Sequence, residues 1–534
     1  SNPNVATVDA SGNVTGISIG ECTITCRSRD NLTAYDTCQI SVIAPRELTS
    51  NEMSLTIKDY YKKNIHATDC SPSLGDVKLL VIPIWFTDSS TYISLKENVR
   101  SDIEKVYFGT SEETGWQSVK SYYEQESNGK LTLTGTVSEW YEVSQKMSDF
   151  SYDTNGRTTS SLVKKATNWY FNNHTSDSRT NYDSDHNGFI DGVILIYGAP
   201  DYSAFEAQAS IYSRASYGDN LWAYTYWLQD SSLNSVSSPG PNVFFWASYD
   251  FMYGSANAKN RTGKSSYNSG KSSHLSIDAH TFIHEMGHVF GLEDYYDYSG
   301  AYIPAGGFSM QDYNVGGHDP FSCLVLGWAS AFIPEESYEL KLKPFQDSHQ
   351  VILLSPSFNS YNSPFDEYLL LELYTPTGLN KFDTDYEYTY GYPRGVNATG
   401  IRLWHVDARL VTVDAFGKPS TKTYTNVVNN CKIMTSNTYY SSESVDYISI
   451  CGRKYADYNM LQLLKNSTTA TYKPTDYFKE SYLFKNGSFD MNTYRRQFVN
   501  SGLLNSNAKL GWNFSVSISG SSSEPTATIT LNKE

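Results

Sequence analysis

His284, Glu285 and His288 stand in the run His284-Glu285-Met286-Gly287-His288, the pattern HExxH. Two histidines at this spacing lie one helical turn apart on the same face, so both imidazoles can reach one metal ion. Glu285, beside the first histidine, is placed to take a proton from a water held by that metal, whose pKa zinc lowers towards about 7. This is the chemistry of a zinc hydrolase. The run continues to Gly291 and Asp294, giving HExxHxxGxxD. Gly291 can adopt a positive φ and end the helix, after which the chain can turn back and present a third ligand. Glu293, Asp294 and Asp297 all follow closely. The spacing selects Asp294, which stands where HExxHxxGxxH carries its third histidine. No glutamate occurs between Glu293 and Glu335, which argues against a third ligand supplied by a glutamate on a following helix.

A helix has to hold these groups. Ala279, Phe282, Ile283, Met286, Val289 and Phe290 form one apolar stripe at helical spacing through 276–294. Downstream, Gly306-Gly307-Phe308-Ser309-Met310 offers a tight turn with a methionine. Tyr313 and His318 follow it as candidates to line the cleft or to hydrogen-bond a reaction intermediate. His280 reads as a helix-surface histidine and His405 as structural. Cys70 lacks the surrounding motif that a thiolate capping the zinc would need.

A second metal signal is Asp183-Ser184-Asp185-His186-Asn187-Gly188-Phe189-Ile190-Asp191. Asp183, Asp185, Asn187 and Asp191 offer oxygens at positions 1, 3, 5 and 9 of a calcium loop, with Phe189 at position 7 and Gly188 at the sharp turn. Ile194 stands where the loop's last glutamate belongs, so a calcium site here is incomplete or borrows a ligand from elsewhere. The competing reading is an Asx-rich turn leading into a strand.

Around these motifs, Val77–Phe86 and Val193–Tyr197 read as buried strands. Ser94-Leu95-Lys96-Glu97 reads as a capping box opening a helix over Val99, Ile103, Val106 and Tyr107. Leu162, Ala166, Trp169 and Tyr170 mark a second amphipathic helix, and 254–275 a long Gly/Ser/Asn-rich surface loop. After about 340 the pattern is mostly short strands and turns. The domain reading is 1–44 as part of a β-sandwich, 45–76 as a connector, 77–340 as the catalytic domain and 341–534 as a β-rich domain.

Composition narrows the class. The chain has 534 residues, room for about three to five domains. Its net charge of −16 makes a nucleic-acid partner unexpected, because phosphate binding needs a positive surface. The longest apolar run, Leu79–Phe86, is eight residues with a proline, far short of the roughly twenty that a spanning helix needs. The seven cysteines form no CxxC, which argues against a thiolate zinc site, and they read mainly as small buried thiols, with a Cys431–Cys451 disulfide as the alternative. No signal peptide is visible; the first residues read as the middle of a module, so more sequence is expected upstream.

Two resemblances add to this. Residues 2–16, from Asn2-Pro3-Asn4-Val5 through Asp9-Ala10-Ser11-Gly12-Asn13 to Gly16, are similar to the second half of a bacterial Ig-like (group 2) domain, a module of surface and secreted proteins. The zinc helix, the calcium-like loop, Met310, Val77–Asp88, Ser121-Tyr122-Tyr123-Glu124-Gln125-Glu126-Ser127-Asn128-Gly129-Lys130-Leu131 and Gly400–Asp407 together resemble the secreted immune-inhibitor-A-like metallopeptidases of bacteria, well over about 75–410. The turn at Met310 resembles the Met-turn of metzincins. The resemblance implies a multidomain α+β protein: a metzincin-like zinc-protease domain, with a twisted mixed sheet above an active-site helix and a Met-turn below, flanked by all-β modules. It implies that His284, His288 and Asp294 hold zinc, that Glu285 is the general base, and that the activity is endopeptidase. Family members often carry a propeptide; here an Ig-like stretch and a connector stand before the protease. The expected protein is a secreted or cell-surface bacterial monomer with catalytic Zn2+, structural Ca2+ and a protein or peptide substrate. The rival readings are an adhesin or glycan-binding protein, in which the protease fold is secondary, and a glycoprotein-selective protease.

Overall fold

The computed structural model describes residues 2–48, 69–147, 158–201, 221–253, 277–313, 315–356, 363–386, 393–413, 419–425, 431–433, 435–438, 458–498 and 502–534. The loop expected at 254–275 and Cys451 of the candidate disulfide lie outside them. The architecture is mixed α and β, with several sheets and few helices.

Four N-terminal strands, β1 (Ala6–Val8), β2 (Val14–Gly16), β3 (Gly20–Arg27) and β4 (Tyr35–Val42), form two antiparallel pairs, β1 with β2 and β3 with β4. Their shared core is small: Val5, Ala6 and Cys22. Cys22 is buried in this core, whereas Cys26 and Cys38, expected as buried thiols, lie further along the same face, beyond the core, and are exposed. The next strand, β5 (Arg46–Glu47), belongs elsewhere: it pairs in parallel with β15 (Tyr338–Leu342), nearly three hundred residues away.

The region expected to be catalytic is built around β6 (Gly75–Trp85). Its apolar run is long enough to be buried on both faces, as in a parallel sheet covered by helices. It pairs in parallel with β7 (Leu131–Val137) on one side and β10 (Val193–Tyr197) on the other, and the short β8 (Tyr141–Glu142) extends its far end. β10 pairs in parallel with β13 (Val243–Ser248), and β11 (Tyr224–Trp227) closes that side antiparallel to β13. The sheet order is β11-β13-β10-β6-β7. Alternate residues of β6 serve different cores. Val77, Leu79 and Val81 join helices α1 (Lys96–Phe108), α2 (Val119–Glu126) and α4 (His280–Val289). Leu80, Ile82 and Ile84 meet α3 (Thr158–Asn173) through Leu162, Val163, Ala166 and Tyr170. The capping box expected at Ser94–Glu97 does not form: α1 starts from Leu95 with no side-chain cap, and Glu97 pairs instead with Arg100 Nε at 2.9 Å.

Beyond α5 (Pro320–Val325), two five-stranded sheets face each other. One runs β14 (Ser330–Phe332), β16 (Gln350–Leu354), β17 (Glu367–Tyr374), β18 (Gly400–Asp407), β22 (Leu461–Leu464). The other runs β23 (Gly487–Phe489), β24 (Trp512–Gly520), β25 (Pro525–Lys533), β15, β5. Leu340, Leu369, Leu371, Phe514, Ile529 and Leu531 fill the space between them. The reverse face of the first sheet, with Val351, Leu353, Leu370 and Trp404, shares one core with α4. Every residue of β17 is therefore buried. Within it Glu372 Oε1 accepts from Arg402 Nε at 2.7 Å and Trp404 Nε1 at 2.8 Å. Among the described residues no helix is long and apolar enough to cross a membrane.

Residues 69–73 lock into this body. Trp328 Nε1 donates to Ser73 O at 2.7 Å, Ser73 Oγ to Leu326 O at 2.9 Å, and Ser71 N to Val289 O at 3.0 Å. Removing residues 1–44 should leave the unfolding free energy of the catalytic region unchanged in a denaturant titration. Removing residues 1–73 should lower it by about 3 kcal/mol, at roughly 1 kcal/mol per buried hydrogen bond lost.

Candidate active site and metal centre

The site grows from α4. Its apolar stripe, Phe282, Ile283, Met286 and Val289, is buried against the sheet, and Tyr123 Oη anchors it by donating to Ile283 O at 2.6 Å. Gly287 faces Gln311 so closely that a Cβ there would lie 2.3 Å from Gln311 Oε1. The helix ends at Gly291, φ +102°. Gly291 N donates to His288 O and Leu292 N to Gly287 O, each at 2.9 Å, the paired bonds of a Schellman ending. This reversal carries Asp294 back beneath the two histidines.

Asp294 Oδ1 lies 3.0 Å from His284 Nε2 and 3.2 Å from His288 Nε2. The opposite ring nitrogens are taken by the backbone: His284 Nδ1 meets Met310 O and His288 Nδ1 meets Leu292 O, each at 2.8 Å. A carbonyl can only accept, so both Nδ1 atoms carry hydrogen and both Nε2 atoms are directed inward. Burial alone would raise the Asp294 carboxyl, yet the adjacent His288 and His284 rings hold it far below the ordinary carboxylate range. Burial opposes charge on His288 as well, but Asp294 outweighs it and lifts that imidazole to about 10. Two imidazole nitrogens and one carboxylate oxygen, all within 4.8 Å of one another, fit a divalent transition metal.

Glu285 is buried, and burial raises its carboxyl. Thr225 Oγ1, on the outermost strand β11, donates to Glu285 O at 3.1 Å and approaches Glu285 Oε2 at 3.3 Å. The residues considered beside Asp294 are placed differently. Glu293 is exposed. Asp297 is buried and engaged by the backbone N–H groups of Ser299, Ala301 and Tyr302. Met310 is fully buried, and its carbonyl is what meets His284.

Tyr313 reaches the site indirectly: its ring lies 5.4 Å from Tyr296, which stacks on His284 at 6.3 Å. His318 differs from its expected place in a cleft. It is fully buried with its ring near Tyr122, Tyr123 and Trp328, and burial depresses its pKa to about 3. His280 is likewise buried rather than on the helix surface. His405 is internal, with Nε2 2.9 Å from Glu367 Oε1. Thr225, and Tyr298, whose Oη donates to Asp294 Oδ2, carried no recognisable signal: both are ordinary residues outside the motif.

The second cluster gathers at 183–191. Oxygens of Asp183, Asp185 and Asp191 lie within 4.8 Å of one another. Asp183 Oδ1 accepts from Asn187 N at 2.9 Å and its Oδ2 from Gly188 N at 3.0 Å; Asp191 Oδ2 accepts from Ser184 N at 2.8 Å, and Asn187 Oδ1 from Phe189 N at 2.8 Å. Ile194 is a buried residue of β10 and offers no ligand.

Residues 83–194 match the family model of the immune inhibitor A peptidase M6 catalytic domain. This stretch is part of a metallopeptidase domain. It runs from Pro83 in β6 to Ile194 in β10, taking in the 183–191 loop and stopping ahead of α4. The resemblance read from the sequence holds over this stretch. No curated protein matches the chain.

Asp294→Ala should bind one metal ion fewer per chain than Glu293→Ala or Asp297→Ala. Elemental analysis of the three purified variants checks this; unchanged metal in the Asp294 variant would remove it from the ligand set.

Proposed function

We propose that the chain is a secreted or cell-surface zinc endopeptidase, with zinc held by His284, His288 and Asp294 in a metzincin-like domain. The observation that carries this is the meeting of both Nε2 atoms with Asp294 Oδ1, beside a buried glutamate on the same helix. When bound there, zinc supplies Lewis-acid polarisation of the scissile carbonyl and acidifies water.

The rest falls to the chain's own side chains. Glu285 takes the proton from the attacking water and passes it to the leaving amine. Burial keeps its carboxyl more basic than usual, which suits a group that must hold a proton between the two transfers. Thr225 steadies Oε2 and ties the helix to β11. That strand is outermost in its sheet among the described residues, so an extended peptide can lie along it as an added strand, next to Glu285. Secretion is supported by the Ig-like resemblance of residues 2–16.

We also assign calcium to Asp183, Asp185, Asn187, Phe189 and Asp191, with a role in stability. Three carboxylates this close repel unless a cation sits among them.

Glu285→Gln should keep its metal and its melting temperature, while turnover of a peptide substrate falls by about 10²–10⁴-fold. A near wild-type rate would contradict the assigned role. Added calcium should raise the melting temperature of the wild-type chain by mass action, and Asp185→Ala should abolish that rise. An equal response in both proteins would remove the calcium assignment.

A further inference from the structure

A second group of ligating side chains lies inside the protein, away from the zinc helix's own ligands. Glu126 ends α2, Cys323 lies on α5, and His349 follows a short helical turn, α6 (Phe345–Ser348), immediately before β16. Their exposures are 1%, 0% and 3%. One ligand atom from each lies within 4.8 Å of the other two. Glu126 Oε1 accepts from His318 N at 2.8 Å and from Cys323 Sγ at 3.4 Å. Glu126 Oε2 and both ring nitrogens of His349 complete no hydrogen bond. Buried polar atoms without partners are rare because each costs about 1–3 kcal/mol. Here they belong to two different side chains, each with a ligand atom within 4.8 Å of the same thiol.

We propose that Glu126, Cys323 and His349 form a second, structural site for a zinc-type divalent metal ion. A mixed sulfur, nitrogen and oxygen donor set selects a transition metal over calcium or magnesium. Ligand atoms on a tetrahedral zinc sit roughly 3.3–3.8 Å apart, so the three groups need to close by no more than about 1–1.5 Å. Charge balances as well. The metal displaces one proton from the Cys323 thiol and one from Glu126, and the two anions neutralise its double charge, with His349 neutral. Burial already raises the Glu126 carboxyl to about 8, drives the thiol up and holds His349 near 4, so without the ion all three stay uncharged at neutral pH. The Trp328 carbonyl gives His349 only weak support, and Lys130 Nζ already donates to it at 2.7 Å.

The position gives the ion a function. α2 belongs to the helices covering the catalytic sheet, and its Tyr123 holds α4 through Ile283 O. His349 leads into β16, in the sheet whose reverse face packs on α4. One ion would therefore pin the catalytic helices to the β-rich region behind them, and its binding energy would count as folding energy.

Cobalt distinguishes this site from the catalytic one, whose ligands include no sulfur. The chain produced with cobalt in place of zinc should show a thiolate-to-cobalt charge-transfer band in the near ultraviolet. Cys323→Ser should lose the band and one equivalent of metal, while His284→Ala should lose one equivalent and keep the band. Absence of the band in the wild-type chain, or its survival in Cys323→Ser, overturns the proposal. Should Cys323→Ser fail to fold, His349→Gln, which keeps the thiol, must lose cobalt faster to a chelator than wild type does. Equal retention would overturn the proposal too.

Discussion

Two backbone carbonyls decide what His284 and His288 can do. Met310 O and Leu292 O each hold an Nδ1–H at 2.8 Å, which leaves both Nε2 atoms directed at Asp294. An imidazole offers only one lone pair when neutral, so the side of the ring that meets the backbone settles the side that meets the metal. Those carbonyls are placed by two turns. The Schellman ending at Gly291 delivers Leu292 and then Asp294. In the tight turn at 306–310, Gly306 and Gly307 take φ +71° and +83°, and Asp312 Oδ2 accepts from Gly307 N at 2.9 Å. Ser309 Oγ donates to Asp319 Oδ2 at 2.7 Å, joining this turn to the start of α5.

These turns in turn depend on what lies beneath them. α4 is pressed against β11 and β13 from one side and shares a core with the outer face of the β16–β17–β18 sheet on the other. The β-rich region is thus a wall of the active-site core as well as an appendage to it. Two of its buried carboxylates are engaged from within the region: Glu372 Oε1 accepts from Arg402 and Trp404, and Glu367 meets His405 and the backbone at Asn505 and Ser506. They hold one sheet's side chains in a single arrangement, and so hold the surface on which the HExxH helix rests.

What could be read directly from the sequence was local. HExxH, the glycine that ends its helix and the carboxylate after it fall within eleven residues, where helical geometry alone relates them. The apolar runs at Val77–Phe86 and Val193–Tyr197 marked strands for the same reason, but not that they are parallel neighbours in the sheet. Contacts between distant segments left no pattern to find. Thr225 meets Glu285 across sixty residues, and Cys323 meets Glu126 across 197. Arg46–Glu47 reads as connector because two residues carry no periodicity; only the pairing with β15 makes them sheet. A lone histidine carries no signal of burial, so the sequence puts His318 and His280 near a surface, and the aromatic residues around His318 come from two separate helical and loop segments.

The central claim is that one metal ion sits where His284, His288 and Asp294 converge. Anomalous diffraction at the zinc absorption edge, from crystals of the zinc-loaded chain, tests it most directly. The account predicts a peak about 2.0–2.2 Å from His284 Nε2, His288 Nε2 and an Asp294 carboxylate oxygen, with both Nδ1 contacts to Met310 O and Leu292 O retained. A peak bound through an Nδ1 atom, a third ligand other than Asp294, or no peak at α4 in zinc-loaded crystals would contradict it.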